Sequence, residues 1–352
     1  MAMKPVFRPH EDDRPFLRRL AWTIAIAIVL LVVWRAAHLL MLAFGSVLLA
    51  VVFGSAGRLF QRLGVKNHRI ALGLGVTLVL AVLGAIGFLL TVQFGSEIGR
   101  MLGNLPGTIK SIEDGLSGSP VGRAVVQAVE AATGGGTIAN RLGDLLSGAG
   151  MVLVNMVIVI VGALFLTGNP KPYARGLILL TPPAARPTME RALKEMSRAL
   201  RLWLTAKLLS MAAMTVFIGG ALWMAGLKSW AALGLLGGLS EFVPYVGPAV
   251  AMVPSIGLAA EAGGSVLVRT LIAYVVVRLA EAWLLTPVIN RRVINIPPAV
   301  TLFTILAVGA VFGVYGVFFA GALLVVTFVG VREFYLRDTL GESDVEPVPD
   351  EA

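Results

Sequence analysis

Long apolar runs separated by short polar stretches dominate the chain and predict a helical protein that crosses a membrane several times. A perpendicular helix needs about 20 apolar residues to cross the hydrocarbon layer. Runs of about that length or longer occupy 70–92, 203–225, 231–260, 266–289 and 299–331, and shorter runs occupy 20–34, 39–53 and 151–166. We therefore predict an all-α integral membrane protein with about eight transmembrane helices, some of them short, broken or re-entrant.

The polar stretches between these runs divide the chain into predicted segments. These are a cytoplasmic N-terminal segment at 1–19, transmembrane helices 1–3 within 20–92, an external soluble excursion with short helices at 93–150, transmembrane helix 4 at 151–166, a cytoplasmic amphipathic helix at 167–202, transmembrane helices 5–8 with proline-broken segments at 203–331, and a disordered acidic tail at 332–352.

The basic residues predict the orientation of the chain in the membrane. The loops at 58–69 and 169–201 are strongly basic, and loops of this kind remain in the cytoplasm. Alternation of the spans then places both termini in the cytoplasm. Arg291 and Arg292 are exceptions, because the same alternation puts them on the outer side. Either a re-entrant segment changes the number of spans, or these arginines face a cavity or a substrate.

The composition supports a membrane protein and argues against several kinds of functional site. Hydrophobic residues make up 57% of the chain and charged residues 14%, whereas soluble domains contain about 25% charged residues. The chain has no cysteine, and its three histidines are too scattered to form a metal-ligand pair on one helix. We expect no enzymatic activity, no metal and no cofactor. The net charge of +9 lies in short loops beside apolar spans, so we expect no nucleic-acid partner.

The segment from Glu241 to Pro254 places one acid and three prolines in an otherwise apolar run. Proline interrupts the helical hydrogen bonds, and a bilayer tolerates this only where protein or a water-filled cavity satisfies the freed groups. An acid inside a span favours a polar pathway. The predicted pathway residues in this segment are Glu241, Pro244, Tyr245, Gly247 and Pro248. The alternative is that Glu241 is an acid at the external boundary that accepts backbone hydrogen bonds.

A second polar set follows in and after the run at 266–289. Arg278 and Glu281 are three residues apart, so they can pair on one helix face. Pro287 ends the helix, and the irregular connection after it supplies basic and amide donors for an anion or a polar solute. We assign Arg278, Glu281, Pro287, Asn290 and Arg291 to the same pathway, with a purely structural ion pair as the alternative.

Two further patterns concern helix surfaces. Gly309, Gly313 and Gly316 have the small-residue spacing typical of close helix packing, within a chain or between subunits; a sliding surface between bundles is the alternative. In the segment 167–202, apolar residues share one helical face beside many basic residues, namely Met189, Leu193, Met196 and Leu200. This pattern predicts a connector on the inner membrane surface, with a moving coupling element as the alternative.

Three stretches together resemble one known family: Glu241-Phe-Val-Pro-Tyr-Val-Gly-Pro248, Glu281 followed six residues later by Pro287, and the Gly309–Gly321 run with Phe312-Gly313. They are similar to the AI-2E family of bacterial inner-membrane proteins, also called the autoinducer-2 exporter or PerM permease family, and the resemblance covers most of the chain. It implies a multi-pass, homo-oligomeric carrier, with members linked to export of the quorum-sensing furanone autoinducer-2 and others to sodium–proton exchange.

The chain departs from the family pattern at two places, and both leave the substrate open. Val288 follows Pro287 where arginine is frequent in the family, and Ala320-Gly-Ala-Leu323 lacks a proline that is common late in the final span.

Three functions are therefore expected for the chain. The first is a secondary transporter of the bacterial inner membrane that exports a small polar solute, with autoinducer-2 as a candidate, coupled to an ion gradient. The second is a sodium or proton antiporter in which Glu241 binds the ion. The third is a non-transporting membrane scaffold. The expected partners are a small polar solute, H+ or Na+, membrane lipid and further copies of the chain.

Overall fold

The computed structural model of the 352-residue chain describes residues 34–91, 149–285 and 297–341, with positions 23, 24, 28 and 31. Every regular element in these ranges is helical, which confirms the predicted all-α class. Within these ranges, length and composition alone identify four helices that could cross a membrane, or five if one bent pair counts as a single span. The last of the four, Pro298–Asp338, contains a break at Gly313. The predicted segment 1–19, almost all of the excursion 93–150 and the tail beyond residue 341 lie outside the described residues.

The first two helices form an antiparallel pair of spans. Helix α1 is Ala37–Arg62 and helix α2 is His68–Thr91. The predicted short run at 39–53 is thus part of a 26-residue helix, about 39 Å long, which is enough to cross. The polar residues Ser55 and Arg58 do not interrupt helix α1, because they are hydrogen-bonded within it. The Ser55 hydroxyl donates to the Val51 carbonyl oxygen at 2.8 Å, and Arg58 donates to the Ser55 hydroxyl at 3.1 Å.

Helices α3 and α4 meet at a right-angled bend. Helix α3 is Ala149–Gly168, close to the predicted span at 151–166, and helix α4 is Pro170–Leu179. The axes of the two helices differ by 88°. Asn169 and the two prolines after it explain the break, because proline is well placed in the first turn of a new helix and cannot continue the old one. If α3 crosses the membrane, α4 runs along its surface.

Helix α5, Arg186–Ala225, is the longest element, with 40 residues. It runs without interruption through residue 202, where the sequence analysis places the boundary between the amphipathic helix and a span. A helix of this length is about 60 Å long, roughly twice the thickness of the hydrocarbon layer. Its basic first half and its apolar second half therefore form one continuous helix that is longer than the hydrocarbon layer is thick.

Helix α6, Trp230–Ser240, folds back along the second half of α5. The two backbones touch, since a Cβ added at Gly234 would lie 2.5 Å from Gly219 Cα. Helix α7, Val246–Ala262, follows after a break, so the predicted run at 231–260 is two short helices. This agrees with the predicted proline-broken segment. Buried side chains of α5 and α6 form the core here, including Met214, Ile218, Leu222 and Leu233.

Helix α8, Gly264–Ala280, packs on α7 and continues as a short π-helical turn, Glu281–Leu285. Residues 286–296 lie outside the described ranges. The core between α7 and α8 contains Ala259, Tyr274 and Val277.

Helix α9, Pro298–Val331, reverses direction at Gly313, where φ is 63° and ψ is −147°. A Cβ at Gly309 would lie 2.6 Å from Val317 Cγ2, although residues eight apart in a straight helix are separated by about 12 Å along its axis. The predicted single span at 299–331 is therefore wrong: it is a helical hairpin with arms at 298–312 and 314–331. The reason is local, because the backbone angles at Gly313 are nearly exclusive to glycine.

Residues after the second arm remain ordered. A π-helical segment, Arg332–Thr339, packs on the first half of α5. The Glu333 side chain is 1% exposed and lies between Arg332, at 3.6 Å, and Arg337, at 3.2 Å. The Thr188 hydroxyl donates to Asp338 at 2.9 Å. The predicted disordered tail at 332–352 is therefore wrong for its first residues, because these charges have partners.

Candidate functional site

The candidate site lies at the break between α6 and α7. The Val246 N–H donates to the Pro244 carbonyl oxygen at 2.7 Å, and Tyr245 between them has φ 63° and ψ −54°. These values describe a γ-turn with positive φ, which is rare and strained for an L-residue. At Gly247 an added Cβ would collide with the Ser240 carbonyl oxygen, so the tight reversal requires glycine at this position.

The prolines of this segment differ in their effect on the backbone. Pro248 lies in the first turn of α7, where backbone N–H groups have no partner within the helix, so it removes no hydrogen bond. Pro254 lies inside α7 and removes one. The break is thus produced by Pro244, Tyr245 and Gly247, and Pro248 starts the next helix.

An arginine bridges two acids at this break. Glu241 caps the end of α6 and is only 4% exposed. Its Oε1 lies 2.8 Å from Arg278 Nη2, and Arg278 Nη1 lies 2.5 Å from Glu281 Oε2. The Arg278 side chain is 34% exposed. Because Glu281 opens the π-helical turn after α8, three elements of the chain contribute to this triad.

Arg278 is the partner of the buried Glu241 carboxylate. Glu241 Oε1 lies 2.8 Å from Arg278 Nη2 and forms an ion pair with it, without the alignment of a well-directed hydrogen bond. A buried carboxylate oxygen normally accepts at least one hydrogen bond. The charge of Glu241 at this position therefore depends on the positive charge of Arg278.

Lys207 is a fourth charged residue of the site. It lies on α5, is partly buried and interacts electrostatically with both Glu241 and Glu281. The sequence analysis did not select Lys207. A signal was available in the sequence, because Lys207 is the single lysine in the apolar run 203–225. An ionisable residue inside a span is a candidate functional residue.

A row of hydroxyl groups on α8 leads to the charged triad. Thr270, Tyr274 and Arg278 are each four residues apart, so they share one helix face. The Tyr274 and Ser255 hydroxyl groups are 2.7 Å apart, which links α8 to α7. Thr270 is fully buried, and its Oγ1 has no hydrogen-bond partner in the described part of the chain. The sequence analysis did not select these hydroxyl residues, because single Ser, Thr and Tyr residues are common in apolar helices.

Aromatic rings cover the other side of the break. Phe242 stacks on Phe318 with ring centroids 4.5 Å apart and contacts Trp203 edge-to-face at 5.8 Å. Phe318 lies five residues after the reversal of α9 and is 45% exposed. The break in α6–α7 and the reversed tip of α9 are therefore in direct contact.

The structure brings together most, but not all, of the predicted pathway residues. Glu241, Pro244, Tyr245, Gly247 and Pro248 form or flank the break, and Arg278 and Glu281 contact it. Pro287, Asn290 and Arg291 lie outside the described residues. The three glycines predicted for helix packing belong to the α9 reversal: Gly313 is the turn, and Gly309 and Gly316 each face the opposite arm.

Replacing Tyr245 with glycine is expected to raise the stability of the protein by about 1 kcal/mol. The strain of a non-glycine residue at positive φ is about 1–3 kcal/mol, partly offset by the greater chain entropy of glycine. The Tyr245 side chain is 52% exposed, so little packing is lost. The measurement is the thermal unfolding midpoint in detergent. Tyr245→Phe keeps the strain and should leave the midpoint unchanged; a lower midpoint for Tyr245→Gly would contradict the expectation.

The chain is similar to transport proteins. A family model described as AI-2E family transporter matches residues 23–335, which include the whole site. A protein of Bacillus subtilis (strain 168) described as "Putative transport protein YrrI" is 27% identical over 141 residues, 40% of each chain. A protein of Thermotoga maritima described as "Putative transport protein" is 28% identical over 129 residues, which cover 36% of this chain and 38% of that protein. The chain thus matches about two fifths of these curated relatives.

Proposed function

Because the chain belongs to the AI-2E transporter family, we propose that it is a secondary transporter that moves a small polar solute past the break between α6 and α7, coupled to an ion gradient. The observation that carries the proposal is Glu241, a 4% exposed carboxylate at a helix break that is paired with Arg278. Buried ionisable residues in spans mark ion and substrate paths, and discontinuous helices form the binding sites of many transporters.

The triad supports coupling to a cation. In the structure Arg278 lies between Glu241 and Glu281, so either acid can lose its charge while Arg278 keeps one partner. A proton or sodium ion on Glu241 neutralises the acid at the break and releases that end of Arg278. Arg278 then has Glu281 as its remaining partner and can shift toward it, so the ion-bound form favours a different position of the break. This is how ion binding would be linked to movement of the solute.

The surrounding hydroxyl groups support a polar, uncharged solute. Thr270 Oγ1 is a buried polar atom without a hydrogen bond among the described residues, and such atoms are usually satisfied by water or a ligand. Tyr274 and Ser255 add two hydroxyl groups that donate or accept. A small molecule with several hydroxyl groups can exchange hydrogen bonds with these side chains, and autoinducer-2 remains the candidate that the family implies.

We infer that the chain lies in the bacterial inner membrane with both termini in the cytoplasm. The basic first half of α5 and the basic turn between α1 and α2 then share the cytoplasmic side, as the positive-inside rule requires. The helices long and apolar enough to cross a membrane support a multi-pass protein.

The test is flux of labelled autoinducer-2 into liposomes that contain the purified protein, with and without an imposed pH gradient. We expect gradient-dependent uptake, abolished by Glu241→Gln. The matched control is Glu261→Gln, which changes an exposed acid at the end of α7 and should transport normally.

Each of the other possible results would contradict part of the proposal. Normal flux in Glu241→Gln would remove Glu241 from the coupling step. Proton movement driven by a sodium gradient, without solute flux, would support the antiporter instead. If the inserted, folded protein moves neither solute nor ions, the scaffold is the remaining alternative.

A further inference from the structure

A hydrogen bond outside the charged triad joins α3 to the reversal of α9. The Asn155 amide nitrogen donates to the Tyr315 hydroxyl oxygen at 2.7 Å. Asn155 lies in the apolar helix α3 and is 7% exposed. Tyr315 follows Gly313, where the chain reverses, by two positions. The hydrogen bond therefore connects a buried amide to the first turn after the reversal.

Helix α3 turns the Asn155 side chain toward the rest of the protein. The apolar residues on either side of it, Val154 and Met156, are exposed. Burying an amide without a hydrogen bond is costly, and amide side chains in membrane helices commonly bond to a neighbouring helix. The position of Asn155 is thus explained by its contact with Tyr315 rather than by apolar packing.

The turn after the reversal also packs on α1. The His38 and Tyr315 rings meet edge-to-face, with centroids 4.9 Å apart. One turn further along, the buried Phe319 ring meets the Phe44 ring edge-to-face at 6.0 Å. Ring contacts tolerate a range of orientations, whereas a hydrogen bond weakens steeply when it is misaligned. The bond from Asn155 therefore selects one orientation of this turn.

The same turn carries the contact with the break between α6 and α7. Phe318 stacks on Phe242, and Phe242 follows Glu241 directly in the chain. Phe318 lies three residues after Tyr315, within one helical turn. A rotation of this turn, which the hydrogen bond opposes, would therefore move the ring that rests on the break.

We propose that Asn155 and Tyr315 are positioning residues for transport, because their hydrogen bond holds the reversed tip of α9 in the orientation that supports the break beside Glu241. They act through Phe318 and Phe242 and not by contact with the solute. The inference rests on the proposed transport function. A hydrogen bond between membrane helices shifts an equilibrium about threefold on average and about twentyfold at most.

The test is hydrogen–deuterium exchange of the full chain in detergent, read separately for the α9 tip at 306–320 and the break at 240–250. Exchange rates report local opening. Tyr315→Phe removes only the hydroxyl group, and Asn155→Leu replaces the amide with an apolar side chain of similar size. Each should raise exchange of the tip about threefold and raise exchange of the break as well. The double variant should go no further, because both substitutions remove the same contact.

Tyr335→Phe is the matched control, since it removes a hydroxyl group from a 55% exposed tyrosine of the segment after α9. It should leave exchange of both segments unchanged. Unchanged exchange of the tip in Tyr315→Phe would show that the hydrogen bond does not hold it. A change confined to the tip would show that the tip does not position the break. If Asn155→Leu lowers the yield of folded protein, Tyr315→Phe alone decides between these results.

Flux of labelled autoinducer-2 into liposomes separates this inference from the proposed function. If the wild type transports, Tyr315→Phe should lower the maximal rate about threefold and keep KM, because the charged triad is intact. Equal maximal rates in the two proteins would overturn the positioning role. A folded wild type without flux would refute the proposed function and the transport role together, and the exchange rates would still decide whether the bond holds the tip.

Discussion

Replacing Arg278 with glutamine is expected to lower the stability of the protein by about 2–4 kcal/mol and to abolish solute transport. Removing one partner of a buried ion pair costs about 3–5 kcal/mol, because the remaining charge stays buried. The lower part of the range applies here, since the Arg278 side chain is 34% exposed and water reduces the effect. Two acids would then face each other, with Lys207 as the remaining cation of the described site. The measurements are the thermal unfolding midpoint in detergent and flux in liposomes.

The controls separate the loss of the triad from the loss of any arginine. Arg269→Gln changes an exposed arginine on the same helix, whose Nε donates to the Ser265 carbonyl oxygen, and should change the midpoint little. Adding Glu241→Gln to Arg278→Gln removes the buried unpaired charge and should recover part of the stability but not the flux. Purely additive effects of the two substitutions would contradict direct coupling, because residues in contact deviate from additivity by about 0.5–3 kcal/mol.

The charged site illustrates what the sequence can predict and what it cannot. Glu241 is recognisable because an acid beside Pro244 in an apolar run violates the ordinary composition of a span. The pairing of Arg278 with Glu281 follows from helical spacing alone. The contact of Arg278 with Glu241 does not, because the two residues are on different helices and no local pattern reports distance across a fold. Lys207 could have been selected as the single lysine of an apolar run, but only the packing of α5 shows that it interacts with Glu241 and Glu281.

The helix boundaries show a second limit of sequence patterns. Hydropathy predicts where the chain is apolar, so the positions of α2 and α3 agree closely with the runs at 70–92 and 151–166. Hydropathy contains little information about whether the chain reverses within an apolar run. The run at 299–331 is uniformly apolar on both sides of Gly313, and a straight helix and a hairpin bury similar residue types. The backbone angles of one glycine decide between them.

The two reversed segments have a common consequence for mechanism. The α6–α7 break and the α9 tip each end inside the helical region, and they meet through Phe242 and Phe318. Irregular backbone inside a hydrocarbon layer is stable only when it is enclosed by protein or lines a water-filled cavity. The two reversed segments enclose part of each other through this aromatic contact, so movement of either one alters the surroundings of the other.

A pair of cysteines at Gly309 and Val317 is expected to form a disulfide bond in nearly all folded molecules, because the two arms of α9 lie side by side. A Cβ at Gly309 would lie 3.9 Å from Val317 Cβ, within the range of about 3.5–4.5 Å found in disulfides. In a straight helix the same residues would be about 12 Å apart along the axis and could not be bridged. The chain has no cysteine of its own, so the measurement is the number of thiols that react with a maleimide before and after mild oxidation.

Val76 and Gly84 provide the matched control, since they are also a valine and a glycine eight residues apart, on helix α2. The Val76→Cys and Gly84→Cys pair should keep both thiols reactive under the same oxidation. Single-cysteine variants exclude bonds between copies of the chain. If the α9 pair stays reduced in folded protein, the reversal at Gly313 is wrong and α9 is one long span. If it oxidises, the two arms of α9 lie side by side, and cross-linking them should leave solute flux intact as long as the hairpin moves as one unit.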